Sequence, residues 1–181
     1  QLQLSEEMRQ AGLDPRKDVE WIIYPDAQLE LALEQGEIDA FASWDPFTTM
    51  ALENGYPLFF STTSGDFFKK DICCFYGMNP NTLKKNPELG KKLAKAFAKA
   101  NEFIMSNPQE AAEIIINNEY TVGDVDMTAG LLGDYEWVSN DEARVEESMR
   151  KIFDWCQKGG AISESTDADS FVSDILEYCG E

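Results

Sequence analysis

The chain has 181 residues, with 15 Lys and Arg against 34 Asp and Glu and no His, a formal net charge of −19. Such an excess of acid argues against a nucleic-acid or anionic-membrane binder, which needs basic patches. The absence of His removes Ser-His-Asp and Cys-His nucleophile pairs, HExxH zinc sites and His general bases. A hydrophobic share of 43%, with 12% aromatic, is enough to fill the core of one ordinary domain or of two small lobes.

In chain order, residues 3–11 read as a helix closed by Gly12, followed by a buried strand from Val19 to Tyr24. Asp26 is placed to cap a helix from Ala27 to Gln35, with Gly36 as the residue just past its end. A second strand is expected from Ile38 to Trp44. Asp45-Pro46 then opens a helix that carries Phe47, Met50 and Ala51 on one face and ends at Gly55. A third strand runs from Tyr56 to Phe60. Residues 61–70, STTSGDFFKK, are a polar, Gly-containing connector and the natural lobe boundary. A further strand from Ile72 to Met78 follows. Asn86-Pro87 starts a long helix with Leu89, Leu93, Ala96, Phe97, Ala100, Phe103 and Ile104 inward, and Asn107-Pro108 restarts it. From about residue 119 onward the pattern is helical: 124–133, 140–158 and 167–179, the last two separated by Gly159-Gly160. Alternating strands and helices in the first half are α/β grammar, with right-handed parallel crossovers and ligands at the C-terminal ends of strands.

Two strand-to-helix loops lie at such ends: Tyr24-Pro25-Asp26 and Ser43-Trp44-Asp45-Pro46. Each sets an aromatic and an acid at a helix N-terminus, where unpaired N–H groups and the helix dipole could meet a ligand acceptor beside an aromatic wall. Tyr24, Asp26, Ser43, Trp44 and Asp45 are therefore the candidate ligand-binding residues. The competing reading makes Asp26 and Asp45 helix caps and Trp44 a core residue. No Arg or Lys stands in either loop, so a bare anion is poorly served, and a ligand with N–H donors and an aromatic face fits better.

The four cysteines, Cys73, Cys74, Cys156 and Cys179, show no CxxC spacing. Cys73 and Cys74, neighbours on a strand, are expected on opposite faces. An antiparallel helical hairpin would hold Cys156 and Cys179 roughly 18 Å apart, too far for a disulfide. Asp124-Val125-Asp126 and Asp167-Ala168-Asp169 lack the Gly and Glu positions of an EF-hand loop and read as caps and solvated charge. Neither a metal nor a cofactor is expected. Lys84, Lys85, Lys91, Lys92, Lys95 and Lys99 read as the solvent face of the long helix, or as a face for an acidic partner.

Residues 31–47, LALEQGEIDAFASWDPF, resemble the periplasmic-type substrate-binding proteins of ABC importers in the nitrate/sulfonate/taurine, NMT1/THI5-like family. A second block is similar to the same family. It runs from Lys85-Asn86-Pro87-Glu88-Leu89 through Ala100-Asn101-Glu102-Phe103-Ile104 to Asn107-Pro108-Gln109-Glu110-Ala111-Ala112. With Gly160-Ala161-Ile162, the resemblance spans most of residues 10–175. It implies an α/β, type II periplasmic-binding-protein-like fold of two lobes that close on a hinge, incomplete at the N-terminus and with a helical C-terminal region. Residues 1–60 would be the remainder of the second lobe, 61–70 the hinge and 71–181 the return to the first lobe. Trp44 and Asp45 would take the family's Trp-Glu-Pro position, the aromatic stacking on the ligand and the acid accepting its hydrogen bonds, with Asp shortening the reach of the usual Glu.

The function so implied is the extracytoplasmic binding component of an importer for a small organic nitrogen or sulfonate-type solute. Its partners would be that solute and the transporter's membrane permease, with no nucleic acid. No apolar run in the chain approaches the ~18 residues of a membrane span. Residues 1–20 lack the basic start and apolar centre of a signal peptide, and the first residue is Gln1, so a signal or lipid anchor is expected upstream, with a periplasmic or membrane-associated extracellular location. Two alternatives stay open. One is a thiamine-pyrimidine synthase, suggested by Cys73-Cys74-Phe75, which keeps part of the iron-binding cysteine cluster of the eukaryotic THI5-like enzymes. The other is a ligand-sensing module of a signalling protein.

Overall fold

Local start and stop signals decide where the helices lie. The computed structural model describes residues 1–62, 71–137 and 141–176, and the chain divides into two compact units, Gln1–Gly65 and Asp66–Glu181.

In the first unit, α1 spans Leu2–Gln10, a single 3₁₀ turn at Asp26–Gln28 leads into α2, Leu29–Glu34, and α3 spans Phe47–Glu53. All three helices end on a glycine in the left-handed region: Gly12 at φ +86°, Gly36 at φ +71° and Gly55 at φ +91°. In each case the residue after the glycine donates its N–H back over the last turn. Glu37 N reaches Ala32 O at 2.9 Å and Tyr56 N reaches Ala51 O at 3.1 Å. This is the Schellman closure, and it satisfies carbonyls that the helix end would leave orphaned. Leu29 and Ala32 of α2 and Ala51 of α3 are buried. Asn54 Nδ2 donates to Glu30 Oε1 at 2.6 Å and the Tyr56 hydroxyl to Glu34 Oε1 at 3.2 Å, which ties the end of α3 to α2.

In the second unit the helices are α4, Pro80–Lys85, α5, Pro87–Ser106, α6, Pro108–Asn117, α7, Val125–Asp134, α8, Glu142–Lys158, and α9, Ala168–Ile175. Proline at the first position of α4, α5 and α6 suits a site whose N–H has no intrahelical partner. Asp124, Asp141 and Asp167 cap α7, α8 and α9 by accepting from the N–H of Met127, Arg144 and Ser170 at 2.8, 3.0 and 2.9 Å. Ala111 and Ala112 of α6 and Leu132 of α7 form a buried cluster, flanked by Phe103, Ile104, Ile115, Val125, Ala129 and Trp137. Phe153 and Trp155 of α8 and Val172 of α9 are buried as well, with the Phe153 and Phe171 rings 5.1 Å apart. Residues just before α4 are pinned to α8: Ile72 N donates to the buried Ser148 Oγ at 2.9 Å, and Lys151 Nζ meets Asp71 Oδ1 at 2.6 Å. On α5 the buried positions are Gly90 and Asn101, while Ala96 and Ala100, expected inward, are exposed. The six lysines from Lys84 to Lys99 are exposed as expected.

The expected α/β fold is corrected by this structure: the described residues contain helices and no strand or sheet. The stretches read as strands, Val19–Tyr24, Ile38–Trp44, Tyr56–Phe60 and Ile72–Met78, carry no ladder between them. An extended segment gains its stability from a neighbour's N–H and C=O groups. Alternating apolar residues specify which side chains would share a face and cannot specify that neighbour. Consistent with this, Ile23 is 97% exposed and Phe59 69% exposed, which no covered sheet would allow. Cys179 lies outside the described residues, as does most of the 61–70 connector. Among the described residues, no helix is long and apolar enough to cross a membrane.

Candidate functional site

The five candidate residues lie in the first unit, on the stretches that flank α2. Two side-chain hydrogen bonds draw these stretches together. The Ser43 hydroxyl donates to Asp26 Oδ1 at 2.7 Å, across 17 residues of sequence. The Tyr24 hydroxyl donates to Glu37 Oε2 at 2.8 Å, across 13. Residues 24–26 therefore run beside residues 37–43, joined by side chains where a backbone ladder was expected. The Schellman turn at Gly36 makes this possible, because it reverses the chain directly after α2 and presents Glu37.

Asp26 is not a side-chain cap. The residue preceding its 3₁₀ turn is Pro25, the turn has no side-chain cap bond, and the Asp26 carboxylate is directed to Ser43. Asp45 is not the expected cap either: Pro46 holds the position before α3, which begins at Phe47 and has no side-chain cap bond, and Asp45 Oδ1 instead accepts from the hydroxyls of Thr48 and Thr49, both at 2.7 Å. The acid is thus fixed over the first turn of α3. Trp44, between Ser43 and Asp45, is 67% exposed, so it is not a core residue. Its indole stands in solvent with one carboxylate attached through Ser43 and another on the next residue.

The charge around this arrangement has one sign. No Lys or Arg occurs between Lys17 and Lys69, while Asp26, Glu37, Asp39 and Asp45 all fall within it. An ionised carboxylate offers about four acceptor positions, so Asp26, which accepts one hydroxyl bond from Ser43, suits further N–H donors. The field is felt at Tyr24, whose phenol is held above its usual range by donating to Glu37, since ionisation would set two negative charges side by side. Thr48, Thr49 and Glu37 were not singled out from the sequence. The threonines follow Asp45 at the three- and four-residue spacing of one helical face, which is a readable signal; the partner of Tyr24 is not readable locally. Among the described residues, no group of three or more His, Cys, Asp or Glu is gathered so that it could hold a metal ion.

The NMT1-like family matches residues 1–117, which include all of this arrangement and the helices through α6. The chain belongs to the NMT1-like family. Among curated proteins, this NMT1-like chain is similar to the nitrate/nitrite binding protein NrtA of Synechocystis sp., with 23% identity over 111 residues. That match covers 60% of the chain and 25% of the relative, so the chain corresponds to about a quarter of the relative's length. No solved structure matches the chain.

Proposed function

We propose that this NMT1-like chain is part of an extracytoplasmic solute-binding protein that serves an ABC importer and carries out no chemical conversion. Its solute is a small organic nitrogen compound or a sulfonate-type molecule with N–H donors. The observation that carries this reading is an exposed Trp44 side chain on the same short stretch as the Ser43–Asp26 bond and Asp45, with no Lys or Arg between Lys17 and Lys69. An exposed aromatic ring and carboxylate acceptors on one stretch suit a flat or cationic nitrogen compound, through stacking, cation–π attraction and charge-assisted hydrogen bonds. The relative is named for nitrate and nitrite. Bare anions would meet repulsion from Asp26, Glu37 and Asp45, which disfavours that ligand class at these residues.

The test is a thermal-shift screen of the intact, full-length protein against aminopyrimidines, other organic amines, taurine-type sulfonates and nitrate. A ligand at 100 times its Kd adds about 2.7 kcal/mol of stability. Stabilisation by amines or amino-sulfonates, weakened at least tenfold by Trp44→Ala, is the expected result. Stabilisation by nitrate alone, or an affinity unchanged in Trp44→Ala, would overturn it.

A further inference from the structure

Cys73 and Cys74 lie in the non-helical stretch that precedes α4, both exposed, with their sulfurs 3.5 Å apart. Neighbouring side chains on a regular strand diverge to opposite faces. The observed approach therefore departs from that geometry and corrects the expectation that the two thiols point apart.

A vicinal dithiol has two distinct uses, oxidation to a disulfide and chelation. Oxidation fits poorly. Disulfides usually span Cα atoms at least about 4.4 Å apart, whereas adjacent Cα atoms across a trans peptide are about 3.8 Å apart. Redox-active cysteines also work as thiolates with lowered pKa. Here partial burial, and then the hydrogen-bonded Cys74 thiol, push Cys73 up to about 11. Chelation avoids the first obstacle, because the two sulfurs meet at a shared atom and not at each other. Two sulfurs bound to one atom at about 2.3 Å, at a pyramidal to tetrahedral angle, sit about 3.5–3.8 Å apart. The protein already holds that separation. Among the described residues no third ligand completes a cluster, so the class that fits is a soft thiophile satisfied by two sulfurs, not an ion that requires three or four.

We infer that Cys73 and Cys74 form a two-sulfur chelating site for a soft thiophile of the trivalent organoarsenical kind. Capture is a condensation. One arsenic–oxygen bond of an R–As=O group breaks, two arsenic–sulfur bonds form, and both thiol protons leave with the oxygen as one water. Arsenic stays trivalent, so no oxidant or reductant is involved.

The experiment titrates the reduced full chain with phenylarsine oxide and counts the remaining thiols. One equivalent is expected to protect two of the four cysteines, and an added small dithiol to release them. Cys73→Ser and Cys74→Ser should each weaken capture by ~100-fold or more, because loss of either sulfur abolishes the intramolecular second bond. Cys156→Ser, which alters the half-buried thiol of α8, should capture as the parent does. Circular dichroism should show unchanged helix content in all three variants. Full capture by Cys73→Ser or Cys74→Ser, or no protected thiols in the parent at one equivalent, would overturn the inference.

Discussion

Among the described residues of the first unit the buried apolar side chains are Leu29, Ala32 and Ala51 together with Pro15 and Pro46, and its helices have six to nine residues. In the second unit, α5 and α8 have 20 and 17 residues, and Leu132, Phe153, Trp155 and Val172 are buried beside Ala111 and Ala112. The first unit makes up for its thin core with side-chain hydrogen bonds and glycine turns, including the Asp26–Ser43, Glu30–Asn54 and Glu34–Tyr56 contacts. The difference teaches that the candidate site sits where the chain is held by directional polar contacts. A large apolar core buries its functional groups, whereas polar ties leave Trp44 and the carboxylates at the surface.

The largest effect expected from this comparison is in the second unit. Phe153→Ala removes a ring that is 3% exposed and should cost about 3–5 kcal/mol in denaturant unfolding. A loss under ~1 kcal/mol would mean that this packing is not what holds α8. Next, Gly36→Ala forces an L side chain to φ +71°. Its Cβ would meet open space, so the cost is conformational, about 1–2 kcal/mol, and should be accompanied by a weaker Tyr24–Glu37 contact. Thermal unfolding of the variant, with tyrosine fluorescence as a second probe, measures both.

These effects follow from features with different legibility. The helix stops at Gly12, Gly36 and Gly55 were read correctly because a C-terminal glycine is a signal local to a few residues. The caps at Asp124 and Asp167, and the starts at Asn86-Pro87 and Asn107-Pro108, were legible for the same reason. The sheet was misread because pairing is a relation between distant segments. Trp21, Ile22, Ile23 and Tyr24 form an apolar run of the kind a buried strand has, yet nothing within the segment reports whether a neighbour is there to pair with it. The residues of the candidate site were named from the sequence, but the bonds that assemble them, Ser43 to Asp26 and Tyr24 to Glu37, span 17 and 13 residues and needed coordinates. Trp44 illustrates the limit: its residue type is equally at home in a core or on a surface, and exposure decides which.

Two smaller effects sharpen the comparison. Asp124→Ala leaves the Met127 N–H without its acceptor and should cost about 1 kcal/mol, read as a shift in the denaturant midpoint with no change in slope. At the site, the Tyr24 phenol is raised by its bond to Glu37, so the neutral form is the one favoured by folding. The stabilisation is fully present below the unfolded tyrosine pKa of about 10 and disappears as pH rises through the higher folded value. Ultraviolet titration should show Tyr24 and the Glu34-bound Tyr56 ionising late, and Glu37→Gln should bring only Tyr24 back toward the ordinary range. A titration identical in parent and variant would separate Tyr24 from Glu37 in solution.

The lysines of α4 and α5 have an electrical consequence. Six of the chain's 15 basic side chains, Lys84, Lys85, Lys91, Lys92, Lys95 and Lys99, are exposed within one short stretch, with Lys91 paired to Glu88 at 3.7 Å. At physiological ionic strength, charges are felt over about 8 Å, while a 20-residue helix such as α5 is about 30 Å long. An approaching body close to this helix therefore responds to its local potential and not to the total of −19. Across distances shorter than the helix itself, a strongly acidic protein presents a face of the opposite polarity.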